Sequence, residues 1–317
     1  ALAARTRLEL SGAIWLPERD RYLVVSDDTG WPDQSDGAPW VFGMSGDGRL
    51  DPDPWPIAGL AKVDDLEAVT RAPDGALWLA ASQSVNRKGK RGEARALLAR
   101  VEVRGTALVA TGSTALAHAI GRRADQGWWE RLGLAGRDPR YKKGGGGLDR
   151  RLDVEGLAWL DGALLIGLKH PLDEGGRALI WRLTDPDRVL ATGGVGPEQL
   201  SVWARVPLGV GPGGSLPAGF ADLLRLDDGR LLALATAIGD ADEGHAERGL
   251  HSTLVAIDNP AGTPQVEVLR AFTGLHAEGL AQSVDGTGLV VVFDRGQQAP
   301  MWAKLARPER VAPPTTR

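Results

Sequence analysis

Apolar runs of four to nine residues, rich in Leu, Val and Trp, alternate with turns built from Gly, Asp and Pro along almost the whole chain. That length and composition predict short β-strands. Four stretches share one frame: "LEAVTRAPDGALWLAASQS", "VEGLAWLDGALLIGLKH", "FADLLRLDDGRLLALATA" and "AEGLAQSVDGTGLVVVFD". Each has an acidic residue near its start, an apolar run, an Asp-Gly pair and a second apolar run. Asp-Gly between apolar runs is the strongest short hairpin signal. Counted back from these turns, Glu67 lies seven residues before Asp74, Glu155 six before Asp161, Asp222 six before Asp228, and Glu278 seven before Asp285. "ELSGAIWLPERDRYLVV" fits the same frame, with Ser11 in the acidic position and a longer turn.

A frame that returns at intervals of tens of residues is the mark of a repeat architecture. In the third unit the runs are "VEGLAWL", "ALLIGL", "ALIWRL" and "LSVWARVPL"; in the fourth they are "FADLLRL", "RLLALATA", "HSTLVAID" and "QVEVLRAF". Repeated antiparallel units of this kind predict an all-β chain: a single β-propeller of five blades, each of four antiparallel strands. Six blades is the alternative, with the extra one hidden in residues 104–150. "STALAHAIGRRADQGWWERLGL" has apolar spacing near 3.6 instead, and predicts a helix-bearing insertion over 113–150, ahead of the third unit and over its acidic face. The last unit lacks a fourth strand, so residues 5–10 are expected to close the ring beside residues 300–306, leaving 307–317 as a Pro-rich tail. "KKGGGGLDRR" and "LGVGPGGSLPAG" read as loops, which makes residues 1–317 one domain.

Composition narrows the function classes. A hydrophobic fraction of 43% with 25% charged residues fits a water-soluble globular chain. A net charge of −4 and a pI near 5.8 offer no long-range attraction to nucleic acid. No apolar run approaches the roughly 20 residues of a membrane span. The absence of Cys excludes disulfides, thiolate metal sites and a cysteine nucleophile. "ALAAR" at the start is compatible with the mature end left after cleavage at a small-residue site, so a periplasmic or secreted monomer is the expectation, with the cytoplasm as alternative.

In a propeller the first strand of each blade lines the central channel, and its start shares a face with the end of the second strand. Glu67, Glu155, Asp222 and Glu278 are therefore expected to ring one mouth, with Ser11 as fifth member and Asp65, Asp153, His276 and Glu9 at the rim. The second strands end at Asp27 and Asp28, Ser82 and Gln83, Lys169 and His170, Thr236, and Asp294 and Arg295. Converging buried carboxylates repel one another, and a hard divalent cation, Ca²⁺ or Mg²⁺, relieves that repulsion. The expected metal ligands are Glu67, Glu155, Asp222 and Glu278. His170, Lys169 and Arg295 are the expected catalytic groups, with Asp28, Gln83 and Asp294 against a small anionic substrate. The competing reading is that the acids hydrogen-bond backbone N–H groups or pair with cations and only hold blades together. Asp-rich "SDDTGWPDQSDG" and "GDADEGHAERGLH", with His245 and His251, reach the same face. "GVGPGG" matches a dinucleotide-binding glycine pattern but runs into Pro212 and "SLPAGF" where a helix must begin.

At "DLEAV…DGALWLAAS", "DVEGLAWLDGALLIGLKHP…GGRALIWRL" and "HAEGLAQSVDG" the chain resembles a bacterial propeller family of unassigned function, related to phytase-like esterase propellers. The resemblance spans about residues 8–305 and is most specific over 152–183. It implies a propeller, often exported, and a metal-assisted hydrolase; the cations beside the acids make a phosphoester or other anionic ester the expected substrate. The alternative is a non-catalytic propeller that binds a small ligand or a protein partner at the same mouth.

Overall fold

The computed structural model describes residues 8–27, 41–60, 62–86, 88–123, 125–134, 152–238, 251–295 and 298–309. The Asp-Gly pairs form the turns expected of them. Asp161 and Gly162 both take positive φ, 47° and 76°, the signature of a type I′ hairpin. At the other three turns only Gly75, Gly229 and Gly286 do so.

Blade one holds β1 (Leu10–Leu16), β2 (Arg21–Ser26) and β3 (Val41–Met44). Blade two holds β4 (Ile57–Ala58), β5 (Leu66–Arg71), β6 (Leu77–Ala81), β7 (Leu97–Arg104) and β8 (Ala107–Ala115). Blade three is β9 (Asp153–Leu160), β10 (Ala163–His170), β11 (Ala178–Thr184) and β12 (Leu200–Val206). Blade four is β13 (Gly209–Val210), β14 (Leu216–Arg225), β15 (Leu231–Ala237), β16 (His251–Asp258) and β17 (Gln265–Thr273). Blade five is β18 (His276–Gln282), β19 (Gly288–Asp294) and β20 (Met301–Ala306).

Strands pair antiparallel throughout, except that β4 lies parallel to the outer strand β8. Blades of three to five strands among the described residues thus replace the uniform four, because the two-residue β4 and β13 add to blades two and four. The inner strands β1, β5, β9, β14 and β18 pack on one another in that cyclic order, and β18 packs back on β1, which fixes five blades. One apolar cluster fills each of the five gaps between blades. Each blade supplies alternate side chains to its two neighbouring gaps, as the period of a strand dictates.

The insertion supplies α1 (Leu116–Arg122) and α2 (Gln126–Arg131). Leu116, Ile120, Trp128 and Trp129 join the core between blades two and three. The indole of Trp128 donates to Leu200 O at 3.2 Å, and that of Trp181 to Leu132 O at 3.1 Å. The remainder of the insertion, 135–150, lies outside the described residues.

Ring closure differs from expectation. Leu10 pairs with Ser26, and Glu9 O accepts from Asp27 N at 3.1 Å, so residues 9 and 10 extend the inner edge of blade one and do not run beside β20. They occupy the rim position that Asp65, Asp153 and His276 fill in other blades. Leu8 and Leu10 pack with Val290 and Val292 of blade five. Residues 5–7 lie outside the described set.

Candidate functional site

Every inner strand bears a β-bulge near its start. The antiparallel register slips by one at Ser11, Glu67, Glu155, Ala221 and Glu278. A bulge leaves one residue unpaired and re-aims its side chain. The next residue is Gly12, Ala68, Gly156, Asp222 or Gly279, where inner strands come closest: a Cβ on Gly279 would stand 2.8 Å from Gly12 Cα. The bulged residues and the ends of the second strands lie at one mouth of the channel.

Aligning the bulges shows that Asp222 is one residue past the acidic position, which in blade four is Ala221. Asp222 therefore sits apart from Glu67, Glu155 and Glu278. It is 1% exposed; Oδ2 accepts from Leu280 N of blade five at 2.7 Å, and Oδ1 from Leu223 N at 2.7 Å. A further backbone hydrogen bond comes from Leu157 of blade three. The carboxyl thus joins three blades, which is the structural role set against metal binding at the outset. The frame counted back from Asp-Gly misplaced it because a bulge absorbs one residue without lengthening the ladder.

One half of the mouth, on blades one and two, is a set of carboxylates with little compensation. One oxygen each from Asp27, Asp65 and Glu67 lie within 4.8 Å of one another. Ca–O distances of 2.3–2.6 Å place ligands of one ion up to about 5 Å apart, so a single hard cation can touch all three. Glu67 is 8% exposed and makes no hydrogen bond among the described residues. Asp27 Oδ1 is buried without a hydrogen-bond partner there. Burial, then the charges of Asp27 and Asp65, pushes the Glu67 carboxyl well above the usual range. Burial, then Glu9 and Asp65, does the same to Asp27. Asp65 is raised by burial and partly held down by Arg95, whose Nη1 contacts it. Arg95 also reaches Asp64 at 3.2 Å and Ser84 Oγ at 2.9 Å.

The other half, on blades three and five, is a chain of alternating charge. Lys169 Nζ lies 2.6 Å from Glu155 Oε1 and 3.9 Å from Glu278 Oε1. His276 Nε2 lies 2.7 Å from Glu278 Oε1, and its Nδ1 lies 3.4 Å from Asp294 Oδ2. Burial opposes both cations, but the surrounding carboxylates override it. His276 is raised to about 10, and Lys169 well above its ordinary value. Burial likewise pushes Glu278 up, yet His276 and Lys169 bring it down to about 2. Glu155 stays well above the usual range, since burial outweighs Lys169. Asp153, opposite His170 in the β9–β10 ladder, is raised by burial to about 7 despite Lys169. Among the described residues blade four contributes no acid at its bulge, and the Lys169 backbone passes close by: a Cβ on Gly219 would lie 2.2 Å from Lys169 O.

Glu67, Glu155, Glu278, Lys169 and Asp294 thus share one mouth, with His170 at its rim. Gln83 does not face a ligand. It is 1% exposed, donates to Ala81 O and Leu97 O at 2.9 Å each, and accepts from Ala117 N at 3.1 Å, so its amide is used up holding blade two to α1. Arg295 is exposed and bonds Gln298 rather than any acid of the mouth. Asp28, Asp33, Asp36 and His245 lie outside the described residues. The sequence reading passed over Arg95, which no repeat frame marks, and left His276 and Asp27 unassigned although it placed both at the mouth.

A cavity of about 440 Å³ opens at the other end of the channel, lined by Trp15, Trp159, Leu224 and Arg225. It holds none of the clustered acids. Among the described residues no helix is long and apolar enough to cross a membrane.

No protein-family model matches the chain, and no curated protein matches it. Solved structures do. An endo-arabinase from Bacteroides thetaiotaomicron is 12% identical, with a TM-score of 0.50 and 97% of each chain covered. A glycosyl hydrolase from Bacteroides ovatus is 8% identical at a TM-score of 0.43, covering 96% of this chain and 87% of that one. An endo-1,4-beta-xylanase from Bacteroides thetaiotaomicron is 11% identical at 0.43, covering 94% and 90%. The likeness to the endo-arabinase is one of fold.

Proposed function

We propose that the chain is a hydrolase of a phosphoester or other anionic ester, working at the acidic mouth with one divalent cation, Ca²⁺ or Mg²⁺, between Asp27, Asp65 and Glu67. The observation that carries this is Glu67: a nine-tenths buried carboxyl, without a hydrogen bond among the described residues, facing two other carboxylates. Left alone, such a group takes up a proton or a cation. Bound there, the cation would supply Lewis-acid polarisation of the ester and a more acidic water.

The rest follows from the chain's own residues. An anionic ester is repelled by uncompensated acids, so the cation, Arg95 at the rim and Lys169 across the mouth supply its attraction. Lys169 and His276 hold Glu278 ionised, while Glu155 and Asp153 retain protons more readily, which separates acid from base among neighbouring carboxyls. The endo-arabinase gives a hydrolase on a like fold, an analogy of fold only. A periplasmic or secreted location suits this reading, since oxygen sites outside cells work at the weaker end of Ca²⁺ affinity.

A second reading, a non-catalytic ligand-binding propeller, draws support from the 2.6 Å Lys169–Glu155 and 2.7 Å His276–Glu278 pairs, which satisfy half the cluster internally. Aryl phosphomonoesters, phosphodiesters and carboxylic esters, offered with Ca²⁺ or Mg²⁺ and again after chelation, separate the two. The hydrolase reading expects turnover that chelation removes and that Glu67→Gln lowers at least a hundredfold. Turnover indifferent to both changes contradicts it. Cation binding without turnover favours the second reading.

A further inference from the structure

We infer that the cavity at the far end of the channel is a second binding site, and that it takes a neutral sugar ring. The inference stands apart from the hydrolase reading and from the acidic mouth.

The bulge frame itself points there. Four residues past the bulge, blades one to five carry Trp15, Arg71, Trp159, Arg225 and Gln282 in turn. All five line the cavity of about 440 Å³, a size usual for small-molecule sites. The repeat that sets acids at one mouth thus sets a second ring of side chains at the other, roughly 13 Å along the strands at about 3.3 Å per residue. Between the two rings the inner strands close in on one another. A Cβ on Gly12, Gly156 or Gly279 would stand 3.0, 3.1 or 2.8 Å from the backbone of the next blade.

Two of the five members are indoles, part-exposed and held by aromatic neighbours. Trp15 meets Tyr22 edge-on at 4.9 Å between ring centroids, and Trp159 stacks on Trp78 at 6.1 Å. Ile14, Val69 and Leu224 continue the apolar wall. The other members are polar, and their charges are answered. Arg71 donates to Glu18 through Nη1 and Nη2 at 3.1 and 2.7 Å, and to Gly75 O through Nε at 3.2 Å. Arg225 pairs with Asp161 at 3.7 Å, and its Nε has no hydrogen-bond partner among the described residues. Gln282 Nε2 donates to Oδ2 of Asp227, a further lining residue, at 3.1 Å.

This set excludes most ligand classes. A purely apolar molecule would cover Arg225, Gln282 and Asp227 and give them no partner, which is costly. An anion meets Asp227 and finds Arg71 committed to Glu18; a cation meets two guanidiniums. What remains is an uncharged molecule with flat apolar faces and an edge of groups that both donate and accept. A sugar ring has that form. Its C–H faces bury apolar area against indole, and its hydroxyls can accept from Arg225 and donate to Asp227.

The test is a ligand-observed NMR titration of chelated protein with the methyl glycosides of glucose, galactose and mannose. At least one should bind, and its uronate and 2-amino counterparts should bind several-fold more weakly. Trp159→Ala should weaken binding at least about tenfold, as loss of an aromatic anchor does. Gln282→Ala, at a part-exposed position, should weaken it about two- to tenfold, the range of one hydrogen bond. Ca²⁺ should change nothing. Failure of all three glycosides to bind, equal or tighter binding of the charged counterparts, or binding that survives both substitutions overturns the inference. So does binding that appears only with Ca²⁺, which would put the sugar at the acidic mouth. If Trp159→Ala does not fold, Gln282→Ala decides. Loss of the hydrolase reading leaves each of these outcomes as it stands.

Discussion

At the scale of single residues, the account turns on which carboxyls are paired. Glu278 and His276, two residues apart on β18, pair at 2.7 Å, and each group's titration gives stability a limb. The folded carboxyl of Glu278, near 2, lies below its ordinary 4.5, so its contribution is present above pH 4.5 and is lost as pH falls toward 2. His276, near 10, lies above its ordinary 6.5, so its contribution is complete below pH 6.5 and is lost as pH rises toward 10. Asp153, raised to about 7, adds a decline that sets in lower, as pH rises from 3.8 to 7, because the unfolded chain gives up this proton before the folded one does. Chelated protein should therefore be most stable toward the acid end of that span, near pH 4.5, and His276→Gln should flatten the fall above pH 6.5 in a series of thermal melts. An unchanged alkaline limb would show that the pair does not set it. At this scale the sequence was only partly legible. Glu67, Glu155 and Glu278 follow from the turn frame. Asp222 does not, because a one-residue bulge shift is invisible when counting back from a turn. Aligning "FADLL" on "VEGLA" and "AEGLA" places Asp222 in the glycine column, and that was the available signal. Gln83 was misread because nothing in a strand end reveals that two backbone carbonyls and one N–H wait for its amide.

At the scale of elements, four of the five first hairpins came through because two local rules agree at each: apolar runs of strand length and Asp-Gly turns with positive φ on glycine. Closure came through poorly, since residues 9 and 10 carry the same short polar–apolar signature whether they extend blade one or pair with β20. The helical spacing of the insertion was legible; the indole contacts that seat it between two blades were not. Trp128 shows what it does. The indole is 1% exposed in the core shared by blades two and three, and its N–H is tied to Leu200 O across a long stretch of chain. Trp128→Ala should cost about 3–5 kcal/mol, a typical value for emptying a buried aromatic site, read as a fall in the denaturant midpoint. A loss below about 1 kcal/mol would mean that the helices merely rest on the blades.

For the whole molecule, ring closure brings together carboxyls that no single blade owns. The carboxylates of the candidate cation site come from blades one and two, and the ion-paired Glu155 and Glu278 from blades three and five. Blade four supplies the gap between them and, through Asp222, a backbone link to both its neighbours. The repeat made the five blades and the acidic mouth readable in advance. The asymmetry that gives the mouth an acidic half and an ion-paired half was not readable, because it depends on Ala221 and on the reach of Lys169 toward Glu278 of blade five. The central claim is that Asp27, Asp65 and Glu67 bind one divalent cation in the folded state. Isothermal calorimetry of chelated protein with Ca²⁺, repeated on Glu67→Gln, tests it most directly. The account predicts a stoichiometry near one, loss of binding in Glu67→Gln, and stabilisation of about 2.7 kcal/mol at a hundredfold excess over the dissociation constant. No binding heat and no change in melting temperature with Ca²⁺ or Mg²⁺, or equal binding by Glu67→Gln, would contradict it.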